Sequence, residues 1–157
     1  MLLGLDPVLN AEALYVLRAM GHGDEIVICD TNFPADSVAQ QTVHGTLIRM
    51  ENVTAARAAR AILSVMPLDT FVDEPALRME VVGKPGEIPA VQQEVQAEVD
   101  RIAPAQFGKP TFPLASIERF AFYERAKAAY AVVVTGERRF YGCFILQKCR
   151  LQPLVSP

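Results

Sequence analysis

Ten consecutive residues, Gly21-His22-Gly23-Asp24-Glu25-Ile26-Val27-Ile28-Cys29-Asp30, hold a histidine, three carboxylates and an apolar run. An imidazole can give or take a proton near neutral pH. A carboxylate just beyond a buried strand can accept hydrogen bonds from a polar ligand. His22 and Asp30 are therefore candidates for an acid/base and ligand-binding pair. The flanking glycines let the backbone turn sharply around His22. Competing structural roles exist for both residues. His22 suits a helix-capping or tight-turn position, and Asp30, ahead of Thr31-Asn32-Phe33-Pro34, suits an Asx-turn. Asp24 and Glu25 read as solvated or capping groups, and His44, beside Gly45 in a polar stretch, reads as a surface residue.

Arg119 and Tyr141 are the next candidates. At 100° per residue, Arg119 falls among Phe122, Tyr123, Ala126, Ala129 and Tyr130 on the apolar face of its own helix. An arginine there snorkels from the helix end, pairs with a carboxylate, or reaches a ligand. Phe120 falls on the polar face instead, which hints at a subunit contact. Tyr141 opens the last strand, where its hydroxyl serves either a polar ligand or interfacial packing.

Other chemistries find little support. Gly21-His22-Gly23 follows a helix and opens a strand, the reverse of the dinucleotide-binding order, and position 26 is Ile where a third glycine is required. There is no Gly-Lys-Ser/Thr and no nucleophile-elbow glycine pattern. Only two histidines occur, with no H-x-x-x-H or H-x-E spacing. The one conceivable metal set is His22, Asp24 and Asp30, and no metal is expected. A net charge of -3 with scattered basic residues argues against nucleic-acid binding. No stretch approaches the ~20 apolar residues of a membrane span, and the first residues lack the pattern of a signal peptide. The expected compartment is the cytoplasm. Cys29, Cys143 and Cys149 read as buried, reduced thiols. Asn52-Val53-Thr54 matches a glycosylation acceptor but carries no weight without a secretory signal.

The elements that must position these groups alternate along the chain. Asn10 caps a helix over 11–20, and 25–29 reads as a buried strand. A weaker strand covers 45–49. A helix covers 52–66 and a short strand 78–82. Pro89 opens a helix with Val91, Val95, Val99 and Ile102 on one stripe. Residues 103–116 read as a loop. Ser116 caps a helix over 117–130, and strands at 131–135 and 141–148 form a hairpin-like pair. The expectation is one α/β domain over 1–157, a layered α/β/α arrangement with a mostly parallel or mixed central sheet. Ligands in such folds bind beyond the carboxyl ends of strands, where Asp30 lies. His22 and Asp30 sit at opposite ends of their strand. They meet at one ligand only if both loops curl inward or if neighbouring subunits combine.

Several segments together resemble the D-ribose pyranase / L-fucose mutarotase family. They are Gly21-His22-Gly23-Asp24-Glu25 with Asp30 and Phe33-Pro34-Ala35, then Arg119-Phe120-Ala121-Phe122-Tyr123-Glu124-Arg125-Ala126, then Thr135-Gly136-Glu137 and Tyr141-Gly142. The first two blocks look like the fucose branch. The resemblance implies a cytoplasmic, cofactor-free isomerase that exchanges sugar anomers by ring opening. It also implies homodecamers of two pentameric rings with sites near subunit boundaries. By the same resemblance His22 is the general acid, and Asp30 and Arg119 bind the sugar. The last strand's contact, Tyr-Gly-Asn in the family, reads Tyr141-Gly142-Cys143 here, one amide fewer. The region 43–112 looks longer than in typical members. A ribose-type pyranase and a sugar-binding protein without turnover are the alternatives.

Overall fold

The computed structural model describes residues 2–107 and 111–151, apart from the side chains of 104–107. Its elements run α1 (Ala11–Ala19), β1 (Glu25–Cys29), α2 (Ala35–Ala39), β2 (Leu47–Met50), α3 (Ala55–Leu63), β3 (Ala76–Met79), α4 (Ala90–Phe107), β4 (Ala115–Ile117), α5 (Arg119–Ala128), β5 (Ala131–Thr135) and β6 (Phe144–Gln147). The six strands form one sheet in the order β2-β5-β1-β6-β3-β4. Pairs β2–β5, β5–β1 and β3–β4 are parallel, and β6 lies antiparallel to both β1 and β3. The mixed sheet and the layered α/β/α class match the sequence expectation.

Strand composition explains why this sheet is interior. Ile26, Val27, Ile28 and Cys29 have no solvent exposure, and neither do Ala131, Val132 and Val133. Branched residues on both faces suit strands covered on both sides. One face packs on α1, α3 and α4, through Val16, Ala58, Ile62, Val91, Val95 and Val99. The other packs on α2 and α5, through Val38, Phe122 and Ala126. The Val91–Val95–Val99 stripe is the one the sequence spacing predicts.

The local starts follow side-chain chemistry. Asn10 accepts from the Ala13 amide at 2.9 Å and caps α1 as expected. Thr54 accepts from Arg57 N–H and caps α3, which gives the apparent glycosylation triplet a structural role.

Several expectations need correction. The cap of α5 is Glu118 rather than Ser116, because its carboxylate reaches the Phe120 and Ala121 amides at 2.8 and 3.0 Å. Ser116 instead lies in β4, a three-residue strand that spans the end of the expected loop 103–116 and the first residue of the expected helix. That loop also begins later than expected, since α4 runs to Phe107. Residues 108–110 of it lie outside the described residues. The short helix α2 is absent from the sequence reading. β5 and β6 are not a hairpin, because β1 lies between them.

This last correction matters for the site. The connection over residues 136–143 crosses the carboxyl end of β1 before β6 runs back. It therefore lays Tyr141, Gly142 and Cys143 beside Asp30. Gly136 opens the crossing close against β2's end, where a Cβ would clash with the Glu51 carbonyl oxygen.

Candidate functional site

A cleft of about 370 Å³ opens at the carboxyl end of the parallel strands, as the general rule for such sheets expects. Asp30, Phe33, Met79, Arg119, Tyr141 and Cys143 are among the residues that line it. They come from four strand ends: the exits of β1 and β3, the start of α5 after β4, and the entry to β6.

Asp30 is 3% exposed and organises two loops at once. Its Oδ1 accepts from Asn32 N–H at 2.9 Å and Phe33 N–H at 3.2 Å, which is the Asx-turn weighed from the sequence. Its Oδ2 accepts from Gly142 N–H at 2.9 Å and faces Cys143 Sγ at 3.6 Å. The Asx-turn is therefore formed, and the same carboxylate also lines the cleft. Burial, and then the Asp30 charge, push the Cys143 thiol well up, so it stays protonated and donates weakly to Asp30. Gly142 fits because it has no side chain. A Cβ there would lie 2.9 Å from Glu137 Cγ and 3.2 Å from Asp30 Cβ.

Tyr141 precedes β6 rather than opening it. Its φ of 64° makes it the one non-glycine residue with positive φ among the described residues, and that conformation breaks the strand. For a tyrosine this costs on the order of 1–3 kcal/mol, which neighbouring contacts must offset. Its Oη accepts from Val82 N–H at 3.4 Å.

Arg119 starts α5 and stands exposed at the cleft. Its Nε donates to Tyr123 Oη at 3.2 Å, and its guanidinium lies 5.6 Å from the Tyr123 ring centroid. It has no carboxylate partner among the described residues. Of the three roles open in the sequence, pairing with a carboxylate is not the one observed, and the guanidinium lies against the Phe120 and Tyr123 rings at the edge of the cleft.

His22 is elsewhere. It lies ahead of β1, at the opposite end of a five-residue strand of roughly 17 Å. Its Nδ1 faces Asp69 Oδ2 at 3.7 Å, and its ring meets Phe71 edge-on at 5.4 Å. The His22 side chain is 44% exposed, while Asp69 is buried and accepts from Phe71 N–H at 2.9 Å. Three backbone hydrogen bonds pin this corner: Gly23 N–H to Lys148 O, Asp69 N–H to Gln147 O, and Cys149 N–H to Pro67 O. Gly23 turns there at φ 88°. Sequence reasoning missed Asp69, which lies 47 residues from His22 in the chain. Its only signal was an aspartate after an apolar Met-Pro-Leu stretch.

The conceived metal set of His22, Asp24 and Asp30 does not assemble. Asp24 instead accepts from Gly21 N–H at 2.7 Å, and Asp30 is at the far end of β1. The donor set that does come together among the described residues is His22, Asp69 and Cys149, with ligand atoms within 4.8 Å of one another. Cys29, Cys143 and Cys149 are free and buried, as expected. His44 departs from its surface assignment. It is half-buried, with Nε2 at 3.1 Å from Glu12 Oε1.

Beneath the cleft, Glu137 is 3% exposed and bound by Arg139, which also grips Glu94 at 2.7 and 2.8 Å. The Arg139 guanidinium holds the Glu137 carboxyl below its ordinary value, against burial. A depressed carboxyl contributes stability above its unfolded-state value, and that contribution is lost as pH falls through the folded-state value. Glu137→Gln should therefore melt below the wild type at pH 7, and the gap should narrow between about pH 5 and pH 3. Thermal melts across that range check this. A gap independent of pH would show that the ion pair contributes nothing.

Residues 3–150 match the RbsD / FucU transport protein family. The chain is 44% identical to human fucose mutarotase, over 97% of both chains. Among solved structures, protein Atu2016 superposes with a TM-score of 0.90 at 56% identity, over 97% of each chain. The fucose mutarotase of Streptococcus pneumoniae in complex with L-fucose superposes with a TM-score of 0.83 at 34% identity, covering 96% of this chain and 100% of that one. The chain belongs to the RbsD / FucU family.

Proposed function

We propose that this protein is a monosaccharide mutarotase, an isomerase that interconverts the α and β anomers of L-fucose or a closely related sugar. The observation that carries this reading is the cleft where Asp30, Arg119 and Tyr141 converge, in a chain whose relatives are fucose mutarotases. Its volume of about 370 Å³ falls at the small end of the ~300–1,000 Å³ range of small-molecule sites, which suits a monosaccharide.

The reaction moves protons and one carbon–oxygen bond. A proton goes to the ring oxygen and another leaves the anomeric hydroxyl. The ring C–O bond breaks to an open-chain aldehyde, the carbonyl carbon rotates, and reclosure returns both protons. No electron leaves the sugar, so the step needs no redox cofactor. In this reading His22 carries the proton at the ring oxygen. Asp69 beside Nδ1 orients the imidazole, leaving Nε2 for the sugar. Arg119 and Tyr141 hold sugar hydroxyls. Asp30 and the Gly142 amide shape the cleft floor, and a sugar hydroxyl can replace the weak Cys143 thiol donor on Asp30 Oδ2.

A neighbouring copy must bring its His22 corner to this cleft. Both regions carry exposed aromatics: Phe120 and Phe140 by the cleft, Phe71 and Tyr15 toward the other end of the sheet. This supports a homo-oligomer, and the decamer of two pentameric rings is the assembly we favour. The chain acts as one domain over 1–157, in the cytoplasm, where three free thiols stay reduced. No helix among the described residues is long and apolar enough to cross a membrane. Nucleic acid is not a partner in this reading.

The distance between His22 and the cleft also favours a second reading. A protein that keeps the cleft but never completes it with His22 would bind sugar without turnover. Exchange NMR on L-fucose, D-ribose, D-arabinose and L-rhamnose separates these possibilities. The mutarotase reading expects fastest acceleration with L-fucose. Fastest exchange with D-ribose would reassign the protein as a pyranase, and binding with no acceleration would make it a sensor.

A further inference from the structure

Among the polar groups buried behind the cleft, Gln92 has no solvent exposure and lies in α4 next to the apolar stripe residue Val91. Its amide is used at both ends. Oε1 accepts from Arg78 Nη1 at 3.2 Å, and Nε2 donates to Met79 O at 2.7 Å and Tyr141 O at 3.0 Å. Arg78, on β3, is 7% exposed and has no carboxylate partner among the described residues. Its other contacts are the Pro85 and Glu87 carbonyls at 3.1 and 3.5 Å. A guanidinium only donates, so Arg78 forces the amide oxygen toward itself and the amide nitrogen toward the two carbonyls.

One peptide group is therefore held at both ends. The Tyr141 carbonyl is bound by Gln92, and the N–H of the same peptide, on Gly142, is bound by Asp30. That peptide follows directly on the positive φ of Tyr141. The geometry points to Gln92, oriented by Arg78, as a positioning residue that fixes the left-handed conformation of Tyr141 and so aims its ring into the cleft. The inference rests on the cleft being the sugar site. It gives a function to the region 43–112, in which the sequence shows little motif. Gln92 touches no ligand, and its effect reaches the site through one backbone carbonyl. A glutamate of the same length accepts but cannot donate to the carbonyls, and an apolar residue leaves the Arg78 guanidinium and both carbonyls short of a partner.

The test compares Gln92→Met with Arg78→Met/Gln92→Met, the second removing both buried polar groups together so that no charge is stranded. Both should fold and raise KM for L-fucose at least about tenfold, with kcat within about threefold because His22 lies apart from the clamp. In a Tyr141→Gly background, glycine adopts the left-handed conformation unaided, so Gln92→Met should add less than about twofold. A folded variant with unchanged KM overturns the inference, and so does an undiminished effect in the Tyr141→Gly background. Hydrogen exchange without sugar reads the clamp separately. The Gly142 amide should be protected in the wild type and exchange at least about tenfold faster in Gln92→Met, and an unchanged rate in the variant would also overturn the proposal. A wild type that accelerates no sugar's exchange would instead count against the mutarotase reading, while the hydrogen-exchange result still decides the clamp.

Discussion

Replacing His22 with alanine should slow anomer exchange by about 100-fold or more, the usual scale of a lost general acid/base. The reasoning is chemical first. Ring opening needs a proton at the ring oxygen in the transition state. The cleft side supplies a carboxylate already engaged by three backbone amides, a guanidinium, a phenol and a protonated thiol. None of these gives and retakes a proton near neutral pH as readily as an imidazole. The substitution should be well tolerated by the fold. His22 is 44% exposed, and the backbone hydrogen bonds that pin its corner come from Gly23, Asp69 and Cys149. Sugar affinity should change little, since Arg119, Tyr141 and Asp30 remain. The expected signature is therefore a collapse of kcat with KM nearly intact, read by saturation-transfer NMR with a thermal melt as the folding control. Asp69→Asn should give a weaker loss, about tenfold, because it disturbs only the orientation of the ring. A folded His22→Ala variant that exchanges anomers within about threefold of wild type would remove His22 from the mechanism.

Much of this candidate site lies in short segments, which is why its residues can be picked out in the sequence. His22 and Asp30 stand at the two ends of one apolar run, and a five-residue strand sets their separation without any tertiary information. Helical phase singles out Arg119 as a candidate, and the structure places it at the cleft. What the sequence hides is held across long separations. Asp69 reaches His22 only because Leu68 bridges to Lys148 and seats the 67–70 segment beside the start of β1. Gln92 and Arg78 act through a carbonyl 49 residues away from Gln92. Tyr141 looks like the start of a strand because its neighbours are apolar, and only the clamp on its peptide explains the left-handed break. The same limit applies to the fold. The alternation of helices and strands identifies the class, while α2 and β4, at five and three residues, are too short for periodicity to reveal. The antiparallel insertion of β6 between β1 and β3 depends on the sheet as a whole.

The second large effect concerns where one working site comes from. His22 lies at the amino end of β1 and the cleft at its carboxyl end, so in the proposed mechanism a chain acting alone would hold two half-sites facing apart. If neighbouring copies join them, defects in different halves should complement. A His22→Ala chain keeps its cleft, and an Arg119→Ala chain keeps its histidine corner. Arg119 is exposed at the first turn of α5, so its removal leaves the core untouched. Each variant alone should be nearly inactive. When the two are co-assembled in equal amounts, each site draws its histidine from one protomer and its arginine from another. By random mixing about a quarter of the sites then receive both intact groups, and close to a quarter of wild-type activity should return. A site built within one chain allows no such recovery, because every chain in the mixture carries a defect. The measurement is exchange NMR on differently tagged chains, unfolded together, refolded and purified through both tags. Recovery near a quarter establishes a shared site. Activity that stays at the level of the separate variants, in assemblies shown to contain both tags, means that His22 reaches the cleft of its own chain or takes no part in the reaction. The His22→Ala kinetics decide between those two.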